Sequence, residues 1–273
     1  MGKTDLKQEY VEVSDTSAGS LRKLNLGAGV LHLITGVLML VLGDLDFELP
    51  VSTFNIGGPP GTALDKGILS EQFGIPLAIG VAAFSLLSAF FHFLIALAVF
   101  PKYKNELRQG RNRFRWVEYS LSSTLMIVLI GATTGITDMA ALVALAFANT
   151  SMILFGWIMD MVNSHDDVKE KNVWWSPFWM GCVAGIGPWL AILLPLLFNV
   201  TGEGSQGPPG FVYGIIVSIF FFFNTFAINQ WLQYRGNGRW ADYLHGERVY
   251  IILSFVAKSV LAWQIFANTL IPT

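Results

Sequence analysis

The sequence predicts an all-α integral membrane protein, a single bundle of seven transmembrane helices. Three observations lead there. Of 273 residues, 53% are hydrophobic and 13% charged, about half the charge share of water-soluble domains, and the mean hydropathy is +0.53. The apolar residues collect in seven runs, each near the roughly 20 residues needed to cross about 30 Å of hydrocarbon. The basic residues gather in the connections on one side. The same composition excludes other classes. A total of 17 Lys+Arg against 19 Asp+Glu offers no basic excess for a nucleic acid. Cys182 is the only cysteine, which rules out an intrachain disulfide and argues against a thiolate metal site. An aromatic content of 14% is incompatible with disorder.

Residues 1–21 are polar, with no apolar run before Leu24, so no cleavable signal peptide is expected and the first span directs insertion. The spans are expected at about 23–44, 74–100, 112–136, 139–163, 177–199, 210–235 and 247–270, within one domain covering 1–273. Between the first two lies the only long outer connection, 45–73. It holds Leu49-Pro50-Val51-Ser52-Thr53-Phe54-Asn55-Ile56 and then Gly57-Gly58-Pro59-Pro60-Gly61, which reads as a strand, a Gly/Pro turn and a return strand. Gly135-Ile136-Thr137-Asp138 joins the third and fourth spans as a tight turn, with Asp138 placed to cap the fourth. Fifteen of the 17 basic residues fall on the side of the N-terminus, from Lys3, Lys7, Arg22 and Lys23 to Arg235, Arg239 and Arg248; Lys66 alone lies opposite. That bias puts the N-terminus in the cytoplasm and the C-terminus outside.

The last basic residue, Lys258, sits in the seventh span, 11 residues past Glu247, roughly 16 Å along the helix and near mid-membrane. Snorkelling would need a helix end within reach of its stem. A central ammonium costs about 2.5–3.5 kcal/mol, so it should be paired or chemically modified. A desolvated lysine loses its proton readily and condenses with an aldehyde. Glu118 is the one acidic residue well inside a span. It reads either as an interfacial glutamate or as the counterion that a buried cation requires. Glu118 is the shallower of the two if the third helix starts at Asn112, so an earlier start near Glu106 is expected, with Arg111 to Arg115 in the first turns. His32 and His92 lie roughly 12–13 Å inside their spans. Ser88 is one turn before His92 and Ser254 one turn before Lys258, each sharing a face with its partner. Such a polar pocket suits a proton in transit, or the histidines are simply hydrogen-bonded to neighbouring helices. A metal triad of two histidines and a glutamate is disfavoured by the nearby lysine, and no metal is expected. Aromatic residues such as Trp179 and Trp189 in the fifth span prove little by themselves, but next to Lys258 the Phe220 to Phe223 run and Trp263 suit a rigid, flat, apolar ligand. The glycosylation triplet at Asn149 lies inside a span and is discarded.

Four strings carry a closer likeness. They are Phe114-Arg115-Trp116-Val117-Glu118-Tyr119-Ser120-Leu121-Ser122-Ser123, Ser151-Met152-Ile153-Leu154-Phe155-Gly156-Trp157, Pro209-Gly210-Phe211-Val212-Tyr213-Gly214-Ile215-Ile216 and Ala257-Lys258-Ser259-Val260-Leu261-Ala262-Trp263-Gln264-Ile265-Phe266. The sequence resembles the heliorhodopsins over all seven spans and the long outer connection. The resemblance implies a rhodopsin-like bundle with its N-terminus inside, matching the charge count. It implies retinal, all-trans in the dark, bound covalently to Lys258, with Glu118 as Schiff-base counterion. It places His32, Ser88, His92 and Ser254 in a polar cavity beside the Schiff base, and Tyr119, Ser123, Asn149, Met152, Phe223 and Trp263 in the retinal pocket. Phe223 stands where ordinary microbial rhodopsins usually carry tryptophan. Asp160 and Glu247 match acidic positions near the inner ends of the fourth and seventh helices. Thr35 replaces a glutamine. Homodimers are implied, with residues 45–73 as the interface.

The function expected is light sensing in the cell membrane with a slow photocycle, without enzymatic activity or proton pumping. A light-gated or light-driven ion transporter on the same fold is the alternative. A receptor or small transporter without a chromophore is a third reading. The lipid bilayer and retinal are the expected partners; the sequence names no signalling partner.

Overall fold

The computed structural model describes residues 11–56, 58–59, 67–198 and 210–270. Lys3, Lys7, Lys66, Gly57, Pro60, Gly61, Asn199 and Pro209 lie outside the described residues. The first helix, α1 (Asp15–Leu42), begins eight residues before the expected span because Ser14 caps it, its side chain accepting from the Ser17 amide. Hydropathy marks only the part in lipid; a cap and an acidic first turn extend the helix into water. The two strands expected in the outer connection are present, with β1 (Glu48–Asn55) and β2 (Ile68–Pro76) pairing antiparallel and an irregularity between Val51 and Ser52. Ser52 also donates its amide to Thr137 O at 2.8 Å, which ties the hairpin to the turn between the third and fourth spans. Because β2 takes residues 74–76, the second span, α2 (Leu77–Phe93), starts at Leu77, and it continues as a π-helical turn over Leu94–Ala98.

The early start expected for the third span is corrected. A separate short helix, α3 (Phe100–Arg108), precedes α4 (Arg113–Thr133). Gly110 at φ +67° turns the chain between them, a conformation that glycine adopts without strain. Asn112 then restarts the helix by accepting from the Arg115 amide at 3.2 Å. The next helix, α5 (Met139–Val162), is capped by Asp138, which accepts from the Ala141 amide at 2.9 Å, as expected. A short α6 (His165–Lys169), then α7 (Ser176–Phe198) and α8 (Gly210–Arg235) follow. The last helix, α9 (Tyr243–Ile265), starts four residues early on the Asp242 cap and ends in a π-helical turn, Phe266–Leu270. Among the described residues, seven helices are long and apolar enough to span a membrane.

Two of the three apolar clusters among the described residues divide the bundle along its length. The larger, at the hairpin end, packs Met39, Leu77, Phe84, Ile127, Leu129 and Leu261. The smaller, at the N-terminal end, packs Val11, Leu21, Tyr103, Leu107 and Leu244; burial there pushes the Tyr103 phenol well above its ordinary range. Between them lies a band of buried polar and charged side chains.

Candidate functional site

That band centres on Lys258 from α9, 3% exposed, and Glu118 from α4, 4% exposed, which form an ion pair. Ser88 from α2 joins them: its hydroxyl accepts from Lys258 Nζ at 2.6 Å and donates to Glu118 Oε1 at 2.6 Å. Ser122, one turn along α4, donates to the same oxygen at 2.8 Å. A buried ammonium is tolerated only when paired and hydrogen-bonded, and here two other helices, α2 and α4, supply the partners. The depth mismatch disappears without an early helix start. Both α4 and α9 run toward the hairpin end, and helical side chains lean toward their own N-terminus. The stem of Lys258 therefore descends to Glu118, as Arg115 descends to Glu247.

His32 and His92 are buried beside this pair, their rings stacked at 5.5 Å and 11°. Asn25 sets the orientation of His92. Its amide nitrogen donates to Leu21 O at 2.9 Å, so its oxygen faces His92 Nδ1 at 2.8 Å as acceptor. Nδ1 thus carries the hydrogen, and Nε2 presents a lone pair in the neutral ring. Among the described residues, His92 Nε2, both nitrogens of His32 and the buried Ser254 hydroxyl have no hydrogen-bond partner.

On the other side of Lys258 lies a cavity of about 470 Å³, within the range of small-molecule pockets. Tyr119, Ser123, Met152, Trp189, Phe220 and Phe223 are in its wall, and among the described residues Lys258 is the only charged one in the lining. Asn149 stands behind the wall, donating to Ser123 Oγ and Thr124 Oγ1, each at 2.9 Å. The expectation for Trp263 is corrected. Five residues past Lys258 it points roughly 140° around the helix, and it is 38% exposed with its edge on Phe266. The tryptophans in the cavity wall are Trp116 from α4 and Trp189 from α7, the latter meeting Phe223 edge-on at 5.5 Å.

A second charged cluster went unread in the sequence. Arg115 is buried between Asp160, at 3.2 Å, and Glu247. Trp116 Nε1 and the Tyr234 hydroxyl donate to Asp160 at 2.5 and 2.7 Å, and Asn112 donates to Glu247 at 2.7 Å. All three charged residues sit near helix ends, where sequence alone reads them as interfacial. The available signal was that one cation and two anions share one membrane level. Asn25 was missed too, because an asparagine in an apolar helix carries no spacing signature.

The cavity and the amine fit retinal: a wall of aromatic and aliphatic side chains for a polyene, one primary amine for an aldehyde, and a carboxylate to balance the charge of their condensation product. The fold is that of known rhodopsins. The transmembrane domain of the rhodopsin phosphodiesterase of Salpingoeca rosetta superposes with a TM-score of 0.64 at 11% identity, covering 91% of this chain and 84% of that one. The rhodopsin of Exiguobacterium sibiricum gives 0.58 at 13% identity, covering 94% and 97%. No curated protein matches the sequence. The heliorhodopsin family model, however, matches residues 21–270, nearly the whole chain and every spanning helix, and the chain belongs to the heliorhodopsin family.

Proposed function

We propose that this retinal light-sensing membrane protein works through a protonated Schiff base on Lys258, with a slow photocycle and no proton pumping. The observation that carries the reading is the Lys258 amine, held by Glu118 and Ser88 at the wall of the apolar cavity. Retinal bound there, all-trans in the dark, supplies light absorption and a photoisomerisation. Everything else falls to the chain. Lys258 provides the nitrogen for the covalent link, and Glu118 balances the positive charge on it. Ser88 and Ser122 spread the negative charge of Glu118 by donating hydrogen bonds, which favours the ionised carboxylate. Tyr119, Ser123, Met152 and Phe223 bound the ligand, and Asn149 orients Ser123. His92 Nε2, with His32 stacked on it, can hold a proton displaced from the nitrogen and return it; Ser88 and Ser254 border the same space.

Fifteen of the 17 basic residues at the N-terminal end support a cytoplasmic N-terminus and an extracellular C-terminus. A homodimer through the outer connection 45–73 is part of the proposal. Its support is the apolar outer surface of the hairpin, where Phe54, Ile68, Leu69 and Phe73 are all more than half exposed. The test of the function is colour. Purified protein given all-trans retinal should absorb in the visible, and sodium borohydride in the light should fix the chromophore to Lys258, located by peptide mass. A colourless preparation, or label on another residue, refutes the reading.

A further inference from the structure

Where α1, α2 and α3 meet at the N-terminal end, a proline has created an unusual arginine. A π-helical turn at Leu94–Ala98 would offer the Ala96 carbonyl to the amide of residue 101, but residue 101 is proline and has no N–H. Arg22 of α1 makes the bond instead, its Nε donating to Ala96 O at 2.7 Å. Its guanidinium lies over the Phe100 ring at 5.1 Å. Two contacts therefore hold the guanidinium plane, yet the residue is exposed, and among the described residues no carboxylate pairs with it. Among the described residues neither Nη group of this exposed residue makes a hydrogen bond.

The surroundings decide what they meet. On α1, Leu26 is half-buried, and Val30 and Leu33 are exposed, in the turns that lead from Arg22 into the membrane; Phe90 on α2 and Leu97 in the π-helical turn after it are also exposed. Arg22 is thus at the N-terminal end of an exposed apolar face of α1, at the level of the headgroups. Lys23 is exposed beside it, and α3 brings Lys104 and Arg108 alongside the start of α1. Asp15 pairs with Lys104, and the exposed Glu12 lies further out, so the neighbourhood stays basic. We infer that Arg22 and the apolar face of α1 beyond it form a binding site for an anionic phospholipid, the guanidinium fork taking the phosphate and the apolar face lying along one acyl chain. A planar fork matches phosphate geometry in two hydrogen bonds. Lys23 and Arg108 favour a net-negative headgroup and repel the cationic choline of a zwitterionic one.

The test uses the full-length protein in phosphatidylcholine vesicles, with spin-labelled phosphatidylglycerol or spin-labelled phosphatidylcholine as probe. A basic side chain near an anionic surface is worth about a five-fold change in binding. Phosphatidylglycerol should therefore associate about five-fold or more over phosphatidylcholine, and Arg22→Gln with Lys23→Gln should bring the two lipids near parity. Arg22→Lys keeps the charge without the fork and should retain only part of the preference. Arg239→Gln, an exposed basic residue elsewhere on the same end, should leave it unchanged. Unaltered helical content by circular dichroism establishes that the variants fold. Equal association of both lipids with the unmodified protein overturns the proposal, as does a preference that survives loss of Arg22 and Lys23.

Discussion

Lys258 and Glu118 oppose each other across the site, and each makes a separable prediction. Lys258→Ala should abolish the visible band after addition of retinal, because no other amine lines the cavity among the described residues. A normal band in that variant, without added amine, refutes the covalent link. Glu118→Gln removes the negative charge nearest the nitrogen, so protonation there loses its main electrostatic support. The visible band should disappear at a lower pH than in wild type, with a red shift in the protonated pigment that remains; an unchanged colour titration counts against the counterion. These two residues were legible from sequence because a charge in mid-membrane must be explained. Trp263 was misplaced for the opposite reason: proximity in sequence says little about which side of a helix a residue faces.

Helix ends were the least legible feature, and the structure shows why at α4. The Asn112 cap, rather than any change in hydropathy, fixes where that helix begins, and it also donates to Glu247. Asn112→Ala should cost about 1 kcal/mol for the cap, and more for the partner left on Glu247. The fall should be measurable as earlier thermal loss of the visible band. Arg115 is the graver case. It touches Asp160 and Glu247 and lies over the Tyr250 ring at 3.9 Å, so its removal strands two buried carboxylates. Breaking a buried ion pair costs about 3–5 kcal/mol, and Arg115→Met should destabilise far more than Asn112→Ala. If the two variants melt alike, the cluster is not holding α4, α5 and α9 together. The two strands of the outer connection were legible because strand chemistry is local. Replacing Phe54 and Phe73 with lysine should convert the proposed dimer to a monomer by light scattering in detergent. Dimers that persist after both substitutions remove the hairpin from the interface.

For the whole molecule, the distribution of ionisable groups decides what a proton can do. A pump needs a donor and an acceptor on opposite sides of the Schiff-base nitrogen. In this bundle His32, His92, Glu118, Arg115, Asp160 and Glu247 all lie between Lys258 and the N-terminal end. Toward the hairpin end, the positions two and three turns beyond Glu118 are Leu125 and Leu129, and they belong to the large apolar cluster with Phe84, Ile127 and Leu261. The acidic residues described beyond it, such as Asp44 and Asp138, are at helix ends, where Asp138 is engaged as a cap. Placing an unpaired charge in such a packed apolar layer costs several kcal/mol or more, so that half resists proton passage. Ser254, one turn before Lys258, occupies the place where pumps of the ordinary microbial family usually have an aspartate, and a hydroxyl does not take its role. A proton leaving the nitrogen should therefore enter the histidine side and return the same way. Illuminated, unbuffered cells expressing the protein should show no sustained pH change sensitive to a protonophore. Such a change, absent in Lys258→Ala cells, would overturn the one-sided path, and a photocurrent that reverses with the applied gradient would favour a light-gated channel on the same fold.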